Sequence, residues 1–156
     1  MILVHIKEFF MSIYMKINGI RGNVTARGFE GAIELFSITQ SNSRTITQSP
    51  GMGQNREMSS PSFEHLHITK AQDSTSALLY NHFCSGQTLD QVDIFYCPIA
   101  SDTSDWRSKY ILHNVLIASN SESISQHGGL ELMALSYTKI EKGYKQQDAM
   151  GKSQSP

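Results

Sequence analysis

The chain has 156 residues, only 17% of which are charged, and its formal net charge at pH 7 is −1. A chain of this length can fold as one domain that buries roughly 70% of its unfolded surface. A near-neutral charge provides no electrostatic attraction for nucleic acid or for an anionic membrane surface. We therefore expect one domain that binds neither.

The first ten residues, MILVHIKEFF, are apolar but are interrupted by Lys7 and Glu8. They are too short to span a membrane, and no small-residue cleavage site follows them. We expect no signal peptide and no membrane insertion. Residues 1–10 are predicted to be a non-native or flexible extension, and residues 11–144 to form the folded domain.

Alternating apolar and polar side chains predict a first strand at residues 13–17 and a second, partly apolar on both faces, at residues 33–38. Residues 41–62 follow, with two prolines, two glycines and no sustained periodicity. A long segment of this kind in a compact domain is usually either functional or disordered. We expect it to leave the core and to contact another molecule.

One amphipathic helix is predicted between two turn signals. A run of β-favouring residues ends near Lys70, after which Asp73 and Ser74 can cap a helix and Gly86 can end it. At about 100° per residue the helix has one apolar face, formed by Ala77, Leu79, Tyr80, Phe83 and Cys84. That face should pack against a sheet formed by the rest of the chain.

Further β segments are predicted at residues 92–96, 106–119 and 130–144, followed by a flexible polar tail at residues 145–156. His113–Asn114 in the long middle segment indicates a bulge or a bend. The predicted fold class is mainly β: an antiparallel β-barrel or sandwich with one flanking α-helix.

The two cysteines, Cys84 and Cys97, form neither a CxxC pair nor a disulfide framework. Both are expected to be buried thiols of a protein from a reducing compartment.

A metal site is the sharpest chemical alternative. His65 and His67 share one face of a predicted strand, and His113 could supply a third ligand, as in a metal-dependent cupin-like β-barrel enzyme. The glutamate that follows the histidine pair in cupins is missing, however, and exposed histidines on a polar sheet face explain the same pattern. Neither a nucleophile elbow nor a phosphate-binding loop occurs. We expect no enzyme activity, no metal and no cofactor.

Short segments in a defined order carry a family resemblance. They are MKINGIRG at residues 15–22, IEL at 33–35, PSF at 61–63, ITK at 68–70, DSTS at 73–76, CSG at 84–86, YIL at 110–112, NVLIAS at 114–119 and LSYTKI at 135–140. Their order and spacing resemble Hcp, the haemolysin-coregulated tube protein family of bacterial type VI secretion systems, over roughly residues 11–144.

The resemblance implies a structural tube subunit that forms homohexameric rings, which stack inside a contractile sheath and are expelled with a VgrG-like spike protein. It also implies small effector proteins in the lumen, and a subunit that stays in the bacterial cytoplasm until it is secreted. The family's long loop, here residues 45–58, would reach the neighbouring ring, which implies a contact set of Gln48, Met52, Gln54, Arg56 and Glu57. A monomeric β-sandwich that binds a partner through this loop is a further alternative.

Overall fold

The computed structural model describes residues 11–47, 57–98 and 105–145. The described elements are, in chain order, β1 Met11–Ile17, β2 Ile33–Leu35, β3 Ser37–Ser43, β4 Ile46–Thr47, β5 Glu57–Met58, β6 Ser62–Ala71, α1 Ser76–Ser85, β7 Leu89–Pro98, β8 Ser108–Ser125, β9 Gly128–Ser136 and β10 Lys139–Tyr144.

The strands form one antiparallel path in the order β2-β1-β7-β8-β9-β6-β3, with β10 also paired to β8. The first half-sheet contains β2, β1, β7, β10 and residues 108–115 of β8. The second half-sheet contains residues 116–125 of β8 with β9, β6 and β3. The predicted mainly β fold with one helix is confirmed, although the hydrogen-bonded path does not close into a barrel.

The two ends of this path are consecutive strands. Only Phe36 separates β2 from β3, and its backbone N–H donates to the carbonyl of Thr69 at 2.7 Å. β2 pairs with β1 whereas β3 pairs with β6, so the chain changes half-sheets at this residue. The single strand predicted over residues 33–38 is therefore divided between the two half-sheets, although Ile33, Leu35 and Ile38 all face the same core.

The long strand β8 bends where one half-sheet passes into the other. Asn114 has φ of +49°, in the left-handed region that most side chains avoid, so extended geometry is interrupted at the predicted position, whereas the register shift of β8 against β9 lies further along, between Ile117 and Ser119. The backbone N–H of Thr138 donates to the carbonyl of His113 at 3.0 Å, at the turn between β9 and β10. The continuous strand predicted over residues 130–144 is thus two strands.

One apolar core lies between the half-sheets. Its members come from the inward-facing positions of both, and the fully buried ones include Met15, Ile33, Leu66, Ile68, Ile94, Leu112 and Met133. A second, smaller cluster lies on the outer side of the first half-sheet, covered by the connection between β1 and β2. There the ring of Phe29 stacks on Tyr14, with centroids 5.0 Å apart, and meets Phe95 edge-on at 5.2 Å.

The helix α1 packs on β8 and ends, as predicted, before Gly86, which has φ of +66°. Its first turn differs from the prediction, since neither Asp73 nor Ser74 is the N-cap. Thr75 occupies that position, and its backbone N–H donates to Oδ1 of Asp73 at 2.8 Å. This helix is neither long nor apolar enough to cross a membrane, and the described part of the chain contains no other candidate.

The predicted apolar face of α1 is only partly correct. Leu79 is fully buried and Phe83 packs against the core, but Ala77, Tyr80 and Cys84 are exposed. The contact with the sheet is therefore narrower than helical periodicity indicates.

Candidate assembly surface

The segment at residues 41–62 starts in β3 and returns in β6, which pair in the main sheet, and between them it forms a narrow two-stranded ladder that is separate from that sheet. Ile46 pairs with Met58, and Thr47 with Glu57. Below them Ser59 accepts from the backbone N–H of Thr45 at 3.0 Å through its hydroxyl. The segment therefore leaves the main sheet, as expected. Of the expected contact residues, Gln48, Met52, Gln54 and Arg56 lie outside the described residues, and Glu57 begins β5.

The outer side of the second half-sheet carries uncharged side chains, and we call it the hydroxyl face. It consists of two cross-strand rows, of whose members only Ala134 is buried, and they alternate with core residues such as Ile68 and Met133. The rows are Ser37-Thr69-Leu132-Ser121 and Thr39-His67-Ala134-Ser119. A surface without charges can approach another protein without the desolvation cost that unpaired ions incur.

The outer side of the first half-sheet is instead charged, and its charges lie in contact with one another. His113 and Lys139 approach Glu141 at 2.9 and 2.7 Å. Two hydrogen bonds lower the pKa of Glu141 to about 2, and the bond from Lys139 has a larger effect than the bond from His113. Lys109 lies 4.0 Å from Asp93. These groups satisfy each other within one subunit, so this face does not need a charged partner.

Three strands of the main sheet offer backbone groups for pairing with another chain. Within the part of the chain that the structure describes, β2, β3 and β10 each have a single hydrogen-bonded neighbour. A strand with one free edge presents unpaired N–H and C=O groups that favour the addition of a further strand. β3 is exposed along most of its length and adjoins the hydroxyl face.

Large apolar side chains are exposed on several elements, and for most of them the sequence patterns gave no indication of this. They are Phe36, Ile46, Phe63, Leu78, Tyr80, Leu116, Ile124, Leu132 and Tyr144. Leu132 belongs to the hydroxyl face, and Ile46 lies at the base of the projecting segment. Exposed apolar groups beside free strand edges are typical of surfaces that other protein chains cover. A signal for Leu132 was present in the sequence, since its strand alternates apolar residues on both faces.

The three candidate metal ligands do not converge. His65 and His67 are exposed on the outer side of β6, whereas His113 lies on β8 in contact with Glu141. No group of three or more histidine, cysteine, aspartate or glutamate side chains in residues 11–47, 57–98 and 105–145 is arranged to hold a metal ion.

The two cysteines lie in different environments, so the prediction that both are buried is wrong for Cys84. That residue is exposed because it lies on the side of α1 that faces away from the sheet. Cys97 is buried in the smaller cluster of the first half-sheet. Burial, with the nearby charge of Asp105, raises the pKa of the Cys97 thiol to about 11.

Taken together, free strand edges, an uncharged sheet face and exposed apolar side chains define a structural β protein whose surface suits association with other protein chains. Residues 14–144 match the family model described as "Type VI secretion system effector, Hcp". The chain belongs to the Hcp family. Members of this family are structural tube proteins of the type VI secretion system, not enzymes, so the cupin-like alternative is not supported.

Solved structures agree with this fold. A structure described as that of a type six secretion system protein has a TM-score of 0.86 at 21% identity, covering 94% of this chain and 91% of the other. Hcp1 from Salmonella typhimurium has a TM-score of 0.71 at 20% identity, covering 92% and 90%. The secreted protein Hcp3 from Pseudomonas aeruginosa has a TM-score of 0.63 at 19% identity, covering 93% and 96%. A comparison with curated proteins found no significant match.

Proposed function

We propose that this Hcp-family chain forms homohexameric rings that stack into the inner tube of a type VI secretion system and carry small effector proteins in the lumen. The observation that carries the proposal is the family match over residues 14–144. The tube would lie inside the sheath, bear a VgrG-like spike at its tip, and pass from the cytoplasm to the outside when the system fires.

The free strand edges support self-assembly on physical grounds. β3 lies at one end of the hydrogen-bonded path, while β10 is attached to β8 away from that end. Two different edges on one subunit allow a head-to-tail contact, in which every copy uses the same two surfaces. Contacts of this type close into a ring when the rotation between neighbours divides a full turn. The number six comes from the family and not from the geometry of one subunit.

The projecting segment is the proposed contact between rings. Its base is a short ladder in which β4 pairs with β5, in a sheet separate from the main one. Gln48, Met52, Gln54, Arg56 and Glu57 would contact the next ring. Residues 11–144 would be the assembling domain, with residues 1–10 and 145–156 outside it.

Native mass spectrometry and negative-stain electron microscopy of the full chain test the ring. We expect ring-shaped particles with the mass of six subunits. A strict monomer at high concentration would contradict the proposal.

Shortening residues 48–54 tests the contact between rings. We expect the shortened variant to keep the wild-type unfolding midpoint and to form single rings, because the deletion lies beyond the β4–β5 base, but to lose stacking and secretion. A replacement of the same residues by a glycine–serine segment of equal length is the matched control for loop length. Normal export of the shortened variant would show that rings do not need this segment in order to stack.

A further inference from the structure

A buried ionic cluster lies where α1 begins. The ammonium group of Lys70 on β6 donates to Oε2 of Glu131 on β9 at 2.5 Å and to Oδ1 of Asp73 at 3.1 Å. It also donates to the carbonyl of Ala71 at 2.9 Å. The side chains of Lys70 and Glu131 are both fully buried. Two full charges thus lie inside the protein, where removal of one leaves the other without compensation.

The helix itself belongs to this cluster. The hydroxyl of Ser76, the first residue of α1, donates to Oε2 of Glu131 at 2.8 Å. The same hydroxyl accepts from the backbone N–H of Asp73 at 3.0 Å. Asp73 in turn accepts from the N–H of Thr75, the residue at the N-cap. The first turn of α1 is therefore connected by side chains to two neighbouring strands of the second half-sheet.

The remaining attachment of α1 is weak by comparison. Leu79 is the only one of its ten residues that is fully buried, and Phe83, partly buried, packs against the core beside it. Leu78 is 47% exposed and Tyr80 is 49% exposed. At its end, Ser85 makes exposed hydrogen bonds to the backbone of His82 and Gln87. An element with few buried apolar contacts opens more readily than the sheet on which it lies.

We propose that α1 is a strap fastened to the sheet mainly by the Lys70–Glu131–Asp73–Ser76 cluster, and that it opens as a unit without unfolding of the β-sheet. Opening withdraws Leu79 and Phe83 from the core and uncovers the surface of β8 against which α1 packs. The sheet keeps its own core between the two half-sheets while the strap is open. This conformational step is independent of the number of subunits in a ring.

Hydrogen exchange measured by mass spectrometry on the full chain tests the strap. The peptide that covers α1 reports opening, and thiol labelling of Cys97 reports unfolding of the first half-sheet, in which that residue is buried. In Ser76→Ala we expect exchange in α1 to be roughly 5- to 10-fold faster, the effect of about one lost hydrogen bond, with no change in Cys97 labelling. Ser85→Ala, at the other end of the helix, is the matched control and should leave exchange in α1 unchanged.

The charged pair gives a second, stronger test. Lys70→Met leaves Glu131 buried without its cation, so we expect exchange in α1 to be roughly 100-fold faster or more. Lys70→Met/Glu131→Leu removes both charges. We expect Cys97 in this double variant to be labelled as slowly as in the wild type, while exchange in α1 stays faster than in the wild type. Two outcomes would overturn the proposal: wild-type exchange of α1 in the double variant, or α1 and Cys97 losing protection in parallel in every variant, Ser76→Ala included.

Discussion

Asn114 donates a hydrogen bond from Nδ2 to Oγ1 of Thr138 at 3.1 Å. The two residues lie at the bend of β8 and at the turn between β9 and β10. Thr138 in turn donates two hydrogen bonds to the carbonyl of His113, the residue before Asn114. One comes from its backbone N–H at 3.0 Å and the other from its hydroxyl at 3.2 Å. These bonds hold together the place where the first half-sheet continues into the second.

Replacement of Asn114 tests how much the bend depends on its backbone conformation. Asn114→Val should lower the free energy of unfolding by about 1–2 kcal/mol, because a β-branched residue is strained at a φ of +49°. Asn114→Gly relieves that strain and loses only an exposed side-chain bond, so its cost should be smaller. Urea unfolding of both variants measures the difference, and equal losses would show that strain at this position is unimportant.

Leu79 and Leu78 are adjacent on α1 but differ in burial, at 1% and 47% exposed. Leu79→Ala should lower the free energy of unfolding by roughly 2–5 kcal/mol, because it leaves a cavity in the core. Leu78→Ala is the matched control and should change it by less than about 0.5 kcal/mol. If the two variants had the same denaturation midpoint, the assignment of Leu79 to the core would be wrong.

The two thiols should react with a disulfide reagent at very different rates. At pH 8 the exposed Cys84 should react quickly, whereas Cys97 should react only when the protein unfolds, since its thiol is buried and its pKa is raised to about 11. Cys84→Ser should remove the fast phase, and Cys97→Ser should leave that phase intact. A fast phase that survives in Cys84→Ser would contradict the burial of Cys97.

Glu141 should contribute to stability against acid. Its pKa is lowered from its ordinary value of 4.5 to about 2, so its contribution is present above pH 4.5 and is lost as the pH falls towards 2. Glu141→Gln should therefore lose less stability than the wild type between pH 4.5 and pH 2. Glu64→Gln removes an exposed carboxylate on β6 and is the control that should follow the wild-type profile. Identical profiles for all three proteins would show that the His113–Glu141–Lys139 contacts do not contribute to stability against acid.

Much of the fold could be predicted from local patterns. The alternation around Met15, the bend at Asn114 and the helix end at Gly86 each depend on chain geometry within a few residues, and the structure has all three. The division of residues 33–38 could not be predicted in this way. Which of two half-sheets a strand joins depends on partners that are distant in the sequence, such as β1 for Leu35 and β6 for Ile38.

The candidate site was less accessible to sequence reasoning. The segment at residues 41–62 was found by its lack of periodicity, but the free edges of β3 and β10 are properties of strand order, which local patterns do not contain. The buried ionic cluster of Lys70 and Glu131 was even harder to predict from the sequence. Lys70 and Glu131 are charged residues in strands with apolar side chains on both faces, so nothing nearby shows that they face inward and meet 61 positions apart.

The order of short family-like segments and the absence of catalytic motifs were sufficient by themselves to predict an Hcp-type tube protein, because both are read along the chain. The family match confirms that assignment. Only the tertiary structure decided which side of each strand is buried, since a strand with apolar side chains on both faces can turn either one inward. Antiparallel pairing places Lys70 opposite Glu131, and the core between the half-sheets requires that both face inward.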